Sequence, residues 1–511
     1  MAGPGEAAAR LAGDYKARKE AFVSNLSGSS ITEINIVTSV VPAAILLWTA
    51  LQRSQSFFTP YSPLAFAVDF LLNVCAVLFA FTIYSSAPLA LSVFLVAPAV
   101  LLLTLQSPKE AAPNGTAKKG KSEGADTQSF KSKLVPRPFL THYRGTMMIM
   151  TVVAILAVDF PIFPRRFAKV ETWGTSLMDI GVGSFVFAAG VVSARELYKS
   201  SDAAKPSLAM RLVQSLRHSV PLLLLGIIRL ISVKGVDYAE HVTEYGVHWN
   251  FFFTLGCLPP FVVLADAVAF LHSKFPPATY ALVAFAISAV YELLLNETRL
   301  LAFILTAPRV DLLSQNREGI FSFIGYLAIY LNGRSTGADI LPYRIPPKAR
   351  EMLKRGAPQV CVERSHIFFS LAFLTGINIV VYLLATSYYG FNIRPSRRLA
   401  NLPYVYWIGA FNTFQIGVFA FIESLGPAFS YREGPEDRQS LKKATSKVLA
   451  VFNSNGLVVF LVANLLTGVV NLSVNTLDMG SLPAMAVLIT YAAAVTGVAM
   501  TMDHTGIKIR L

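Results

Sequence analysis

Apolar runs near the length that crosses a bilayer recur along the chain, separated by shorter polar segments. They fall near 35–52, 63–83, 87–106, 139–158, 177–194, 219–233, 247–270, 278–305, 319–332, 366–389, 403–424, 446–472 and 483–503. Because roughly twenty residues of helix cross the hydrocarbon core, the pattern predicts about thirteen transmembrane helices. Three runs are irregular. Those at 219–233 and 319–332 are short, and 278–305 is interrupted by Asn296, Glu297 and Arg299, so it reads as one broken helix or as a span plus a re-entrant piece. The expected fold class is an all-α polytopic membrane protein, with one bundle over 35–503.

Composition supports this and removes alternatives. The 511 residues are 54% hydrophobic and 14% charged, with a mean hydropathy of +0.53, which excludes a string of soluble domains. Residues 1–34 are polar, carrying Arg10, Lys16, Arg18 and Lys19 without the apolar core of a secretory signal, so the first span is expected to direct insertion. Segment 107–137, rich in Lys, Gly, Ser and Asn, reads as a disordered linker, and 504–511 as a short tail. The three cysteines, Cys75, Cys257 and Cys361, form no disulfide framework, and the seven histidines lack zinc-motif spacing, so no metal or redox cofactor is indicated. A net charge of +14 could suggest nucleic acid, but the basic residues sit in short loops between spans, where they set orientation instead.

That orientation follows from which loops are basic. The loops after the third and ninth spans hold seven Lys and Arg each, whereas those after the fourth and tenth hold three each and that after the twelfth none. Cytosolic loops keep the excess, so the N-terminus is expected outside the cytosol and the C-terminus inside it. The sequon at Asn114 should then stay unmodified, while those at Asn25 and Asn471 lie on the glycosylated side, Asn471 close to the bilayer.

Candidate chemistry concentrates on the non-cytosolic side. From Val158 to Phe187, Asp159, Arg165, Arg166, Lys169, Glu171 and Asp179 lie between two spans, with Pro161 and Pro164 preventing a continuous helix. Two further clusters share that face: Arg229, Lys234, Tyr238, Glu244, His248, Trp249 and Asn250, then Asn316, Arg317 and Glu318. One reading makes these arginines that snorkel to headgroups and polar groups that cap helices, with Asn316 an N-cap and His248 and Trp249 in an aromatic belt. The other makes them the walls of a shared cavity where a carboxylate and an ammonium meet a lipid substrate.

The run Asp159-Phe-Pro-Ile-Phe-Pro-Arg-Arg-Phe-Ala-Lys169, with Glu171, Gly174 and Leu177 to Phe187, resembles the PIG-W-type inositol acyltransferases of glycosylphosphatidylinositol (GPI) anchor synthesis. The similarity continues through Ser215 to Leu222, Lys234 to Tyr238, Glu244 to Phe252 and Gln315 to Ile320. The resemblance implies an endoplasmic-reticulum enzyme moving a fatty acyl chain, typically palmitoyl, from acyl-CoA to the inositol 2-hydroxyl of glucosaminyl-phosphatidylinositol. It places the family's carboxylate and lysine on Asp159 and Lys169.

Those residue types suit the reaction, since an alcohol attacking a thioester needs a base at the hydroxyl and a donor at the thioester oxygen. Asp159 is expected to take the proton, with Lys169 as its charge partner. Arg165, Arg166, Arg229, Lys234 and Arg317 are candidates for the phosphates of CoA or of the lipid. The Gly181–Phe187 and Trp249–Phe253 runs could line an acyl slot or be ordinary bundle packing. Acyl-CoA would be a co-substrate rather than a resident cofactor, and the expected partners are the glycolipid and membrane lipid, not nucleic acid. Two other readings use the same residues: a histidine-dependent O-acyltransferase with His248 as base, and a secondary transporter. Against the second, no internal repeat relates the two halves.

Overall fold

The computed structural model describes residues 15, 17–105, 137–198, 207–234, 242–271, 276–341, 359–427 and 435–507. The 107–137 linker apart from Arg137, the Asn114 sequon, the 508–511 end of the tail, Tyr238 and the side chain of Lys234 lie outside them.

Prolines and serines set several helix starts. Pro63, Pro88 and Pro138 open their helices, where a missing N–H is harmless. Ser30 and Ser62 accept from the backbone of Glu33 and Ala65 at first turns. The helices in chain order begin with α1 (Ile31–Gln55), α2 (Pro63–Phe81), α3 (Pro88–Thr104), α4 (Pro138–Ala157) and α5 (Asp179–Tyr198). Next come α6 (Leu208–Lys234), the one-turn α7 (Val242–Tyr245), α8 (Phe251–Leu271), α9 (Pro276–Glu297), and the short α10 (Leu300–Thr306) and α11 (Leu312–Gln315). The series ends with α12 (Arg317–Ile340), α13 (Gln359–Thr386), α14 (Leu402–Leu425), α15 (Pro435–Lys443), α16 (Lys447–Ser454), α17 (Gly456–Ser473) and α18 (Ser481–His504). Among the described residues there is no strand, and ten helices are long and apolar enough to cross a membrane. The protein is an all-α polytopic membrane protein.

The irregular runs resolve individually. The short 219–233 run belongs to the 27-residue α6, and the 319–332 run to the 24-residue α12, because polar flanks continue both helices beyond their apolar centres. The 278–305 run is a span followed by a separate piece: α9 ends at Glu297, and α10 restarts after Thr298 and Arg299. The 446–472 run, expected to be one helix, breaks at Asn455 between α16 and α17.

α12 is the axis of the bundle. Nineteen of its 24 residues are buried, including Glu318 at one end and Arg334 near the other, which explains why it lacks the hydropathy of a lipid-facing span. It packs on α5, α9, α13 and α14. Gly190 of α5 meets the Tyr330 carbonyl, and Gly333 and Gly337 of α12 meet the carbonyls of Phe187 and Val191, so any side chain there would strike backbone. Small residues bring these two helices together, the device by which helices associate in lipid, where burying apolar surface gives no advantage. Large apolar side chains turn outward at the periphery, among them Phe94, Phe369, Leu465 and Leu482. Asp179 at the start of α5, Glu318 at the start of α12, Arg397 and Arg398 just before α14 and Thr172 in the segment after α4 are joined by hydrogen bonds, so these ends meet at one end of the bundle.

Candidate active site

The segment between α4 and α5 is held as a compact cap. Pro161 and Pro164 interrupt the helix, and Phe160, Phe163 and Phe167 anchor it by complete burial. Arg165 braces the turn from inside, donating to the carbonyls of Phe160 at 3.1 Å and Phe163 at 2.7 Å while its guanidinium lies 3.7 Å from the Phe22 ring centre. Arg166 reaches away to Glu33 at 2.7 Å and the Ser85 carbonyl at 3.2 Å, tying the cap to α1 and to the turn before α3. Gly174, at φ +130°, takes a conformation an L side chain rarely adopts, and its N–H donates to Pro395.

Within this cap the expected pair of Asp159 and Lys169 does not form. Asp159 accepts from the Asn471 amide at 2.7 Å, and that amide's oxygen accepts from Lys19 at 2.8 Å. Lys169 turns to Glu244 of α7, at 2.8 and 3.0 Å. The reason is competition: Glu244 presents both carboxylate oxygens to Lys169, while Arg165 and Lys19 supply the positive field at Asp159. Burial pushes the Asp159 carboxyl above its ordinary range, against the Asn471 hydrogen bond and those two cations, which pull it down. Burial likewise draws the Arg165 guanidinium down to about 10, with Asp159 opposing.

Lys169 begins a line of alternating charge. Glu244 also accepts from Arg397 at 2.8 Å, and Arg397 donates through Nε to the fully buried Asp179 at 2.8 Å. Asp179 is further held by Ser176 at 2.8 Å. Burial opposes the Arg397 charge, but Glu244 and Asp179 hold it protonated well above its ordinary range. Lys169 spends two N–H donors on Glu244 and stays partly exposed, leaving one donor without a partner among the described residues.

Beside this line lies a second cluster. Glu318, with no exposed surface, accepts from Arg309 at 2.5 and 3.0 Å and from Arg398 at 3.1 Å, and Arg317 stands 3.7 Å away. Among the described residues one carboxylate thus gathers three guanidinium groups. Arg398 also donates to Thr172 at 3.3 Å, linking this cluster to the cap.

The remaining sequence candidates divide between scaffold and rim. Asn316 stands at the N-cap of α12, but its side-chain oxygen accepts from the backbone of His248 at 2.8 Å and Trp249 at 2.9 Å instead of capping that helix. Gly246, at φ +111°, makes room for Asn316 there. His248 meets Gln315 at 3.1 Å and the Trp249 indole donates to Thr254 at 2.9 Å, so both are packed into the protein rather than forming a lipid-facing belt. Asn250 caps α8 by accepting from Phe252 at 3.0 Å. Arg229 is exposed on α6, and Glu171 is partly exposed with no side-chain partner among the described residues.

Arg309, Arg397, Arg398 and Asn471 belong to this site without having been singled out for it. The adjacent Arg397 and Arg398, immediately before an apolar run on the same face, were the available signal, and Asn471 had drawn notice only as a sequon.

The bundle and its charged end define a polytopic membrane protein with a polar site at headgroup depth. A GWT1 family model matches residues 15–502. The chain is 52% identical over 508 residues to GPI-anchored wall transfer protein 1 of Gibberella zeae, covering 97% of this chain and 99% of that protein. It is 51% identical over 514 residues to the protein of that name in Aspergillus fumigatus and 39% over 514 residues to that in Saccharomyces cerevisiae, each alignment covering 97% of this chain and 99% of the relative. The chain belongs to the GWT1 family, the PIG-W-type inositol acyltransferases, and its role lies in GPI-anchor biosynthesis.

Proposed function

We propose that the protein transfers a fatty acyl chain, palmitoyl by the family resemblance, from acyl-CoA to the inositol 2-hydroxyl of glucosaminyl-phosphatidylinositol at the lumenal face of the endoplasmic reticulum. Asp159 takes the hydroxyl proton as the inositol oxygen attacks the thioester carbon. The C–S bond then breaks, and CoA leaves as a thiolate that collects a proton. Lys169 donates its remaining N–H to the oxygen on which negative charge develops, and the Glu244–Arg397–Asp179 line keeps that ammonium oriented. Arg317 and Arg398, beside Glu318, receive a substrate phosphate.

The observation that carries this reading is a partly buried carboxylate made more basic than usual, on the same short cap as a lysine with an unused donor. A carboxyl raised by burial is the better proton acceptor for an alcohol. The test is acyl transfer by purified protein in detergent with palmitoyl-CoA and the glycolipid. Asp159→Asn should lower the rate about 10²–10⁴-fold, and Lys169→Met on the order of 10²–10³-fold. Near-normal turnover by both folded variants would end the proposal.

A further inference from the structure

At the end of α4 opposite Asp159, about 30 Å away along twenty residues of helix, the described residues enclose a cleft that the acyl-transfer reading does not use. Arg137 before α4, Arg144 on α4 and Arg195 near the end of α5 line it, together with Asn453 of α16 and the apolar Val191 and Leu341. Among the described residues no Asp or Glu lines it. Arg137 donates to the Leu341 carbonyl at 3.4 Å, which fixes it in the wall. Among the described residues Arg144 and Arg195 have no hydrogen-bonding or ion-pairing partner, and Nε of Arg195 is buried without one. The Oδ1 atom of Asn453 is buried and unpartnered as well.

The guanidinium groups of Arg144 and Arg195 repel each other and lose hydration in this recess, an arrangement that an anion or ordered water offsets. A phosphate group offers several acceptor oxygens to the arginines, and a hydroxyl on the same ligand can donate to Asn453. Size limits the choice. The empty space of the cleft is about 350 Å³ with the open solvent at its mouth included, room for a small anionic group and not for a whole lipid. Its place at helix ends is headgroup depth, where basic recesses between transmembrane helices take anionic lipid. We propose that Arg137, Arg144 and Arg195 form a phosphate-binding site on the face of the membrane opposite the acyl-transfer site. The phosphate comes either from a phospholipid headgroup or from a soluble phosphate ester.

Native mass spectrometry of the full-length protein in detergent tests this independently of the acyl-transfer reading. The probes are phosphatidic acid, phosphatidylcholine, glycerol 3-phosphate and inorganic phosphate. Selective retention of phosphatidic acid over phosphatidylcholine supports a headgroup site, and retention of glycerol 3-phosphate or inorganic phosphate supports a soluble ester. In either case the Arg144→Gln/Arg195→Gln protein should lose retention at least about tenfold. The corresponding double Lys variant should keep part of it, and Arg53→Gln, outside the cleft, should keep all of it. If the Gln variant does not fold, wild-type protein reports instead: the bound probe should shield Arg144 and Arg195 from an arginine-modifying dicarbonyl, read by peptide mass. Equal retention in wild type and the double Gln variant, unshielded arginines, or no preference for any phosphate probe would overturn the site.

Discussion

Asp159 and Lys169 stand ten positions apart and invite pairing, yet each has a different partner, Asn471 and Glu244, from distant parts of the chain. The family resemblance singled out these two positions, but a side chain's partner is whichever group the fold delivers within reach, and neither partner is a sequence neighbour. The consequence is measurable. Because burial raises the Asp159 carboxyl above the ordinary aspartate value of 3.8, the acyl-transfer rate should climb with pH through a midpoint above that value, and Asp159→Asn should flatten the climb. The sign for stability is opposite. A carboxyl whose folded pKa is raised favours folding when protonated, and that contribution is lost as pH rises through the folded pKa. Asp159→Asn should therefore unfold at an equal or higher temperature than wild type at neutral pH while losing activity, which thermal unfolding in detergent would check. Glu318 should behave differently. Glu318→Gln removes the buried carboxylate to which Arg309 and Arg398 donate, and breaking this buried ion pair should cost about 3–5 kcal/mol, seen as a large fall in unfolding temperature.

At the scale of the element, apolar period and length located the helices, whereas the ends and breaks depended on neighbours. α12 runs on through polar residues because tertiary contacts, not lipid, surround those turns, whereas the polar turns of α6 around Gln214, Arg217 and His218 are exposed. α12 is buried along its length, so Glu318, Asn332 and Arg334, which disqualify it as an isolated span, are solvated by other helices. Its contact with α5 depends on glycine facing backbone. Gly333→Leu should separate α5 from α12, lowering thermal stability by about 1–3 kcal/mol. Because Asp179 begins α5, the same change should weaken the Lys169–Glu244–Arg397–Asp179 line and reduce acyl transfer, while Gly468→Leu, where no neighbour stands, should be tolerated. Similar losses in the two variants would show that the α5–α12 contact does not limit stability.

Over the whole molecule, loop charge gives an orientation that glycan mapping can check. Asn25 is exposed and should carry glycan when the protein is made in microsomes, and Asn114 should not. Asn471 should also stay bare in the folded protein, because its amide is occupied by Lys19 and Asp159, a reason the sequon itself does not reveal. Glycan on Asn114 would invert the topology and move the Asp159 end to the cytosol. The bundle's class, most of its helices and the clustering of charge at one end were legible from the sequence. The cause is that the bilayer imposes the same length and polarity on every crossing segment, and this constraint acts residue by residue along the chain. Only the tertiary structure decided that Arg397 and Arg398 complete the site, that Lys169 answers to Glu244, and that three arginines share a recess at the far end. Those outcomes depend on which helix lies beside which, and in lipid that choice is made by close packing and polar satisfaction between segments far apart in sequence.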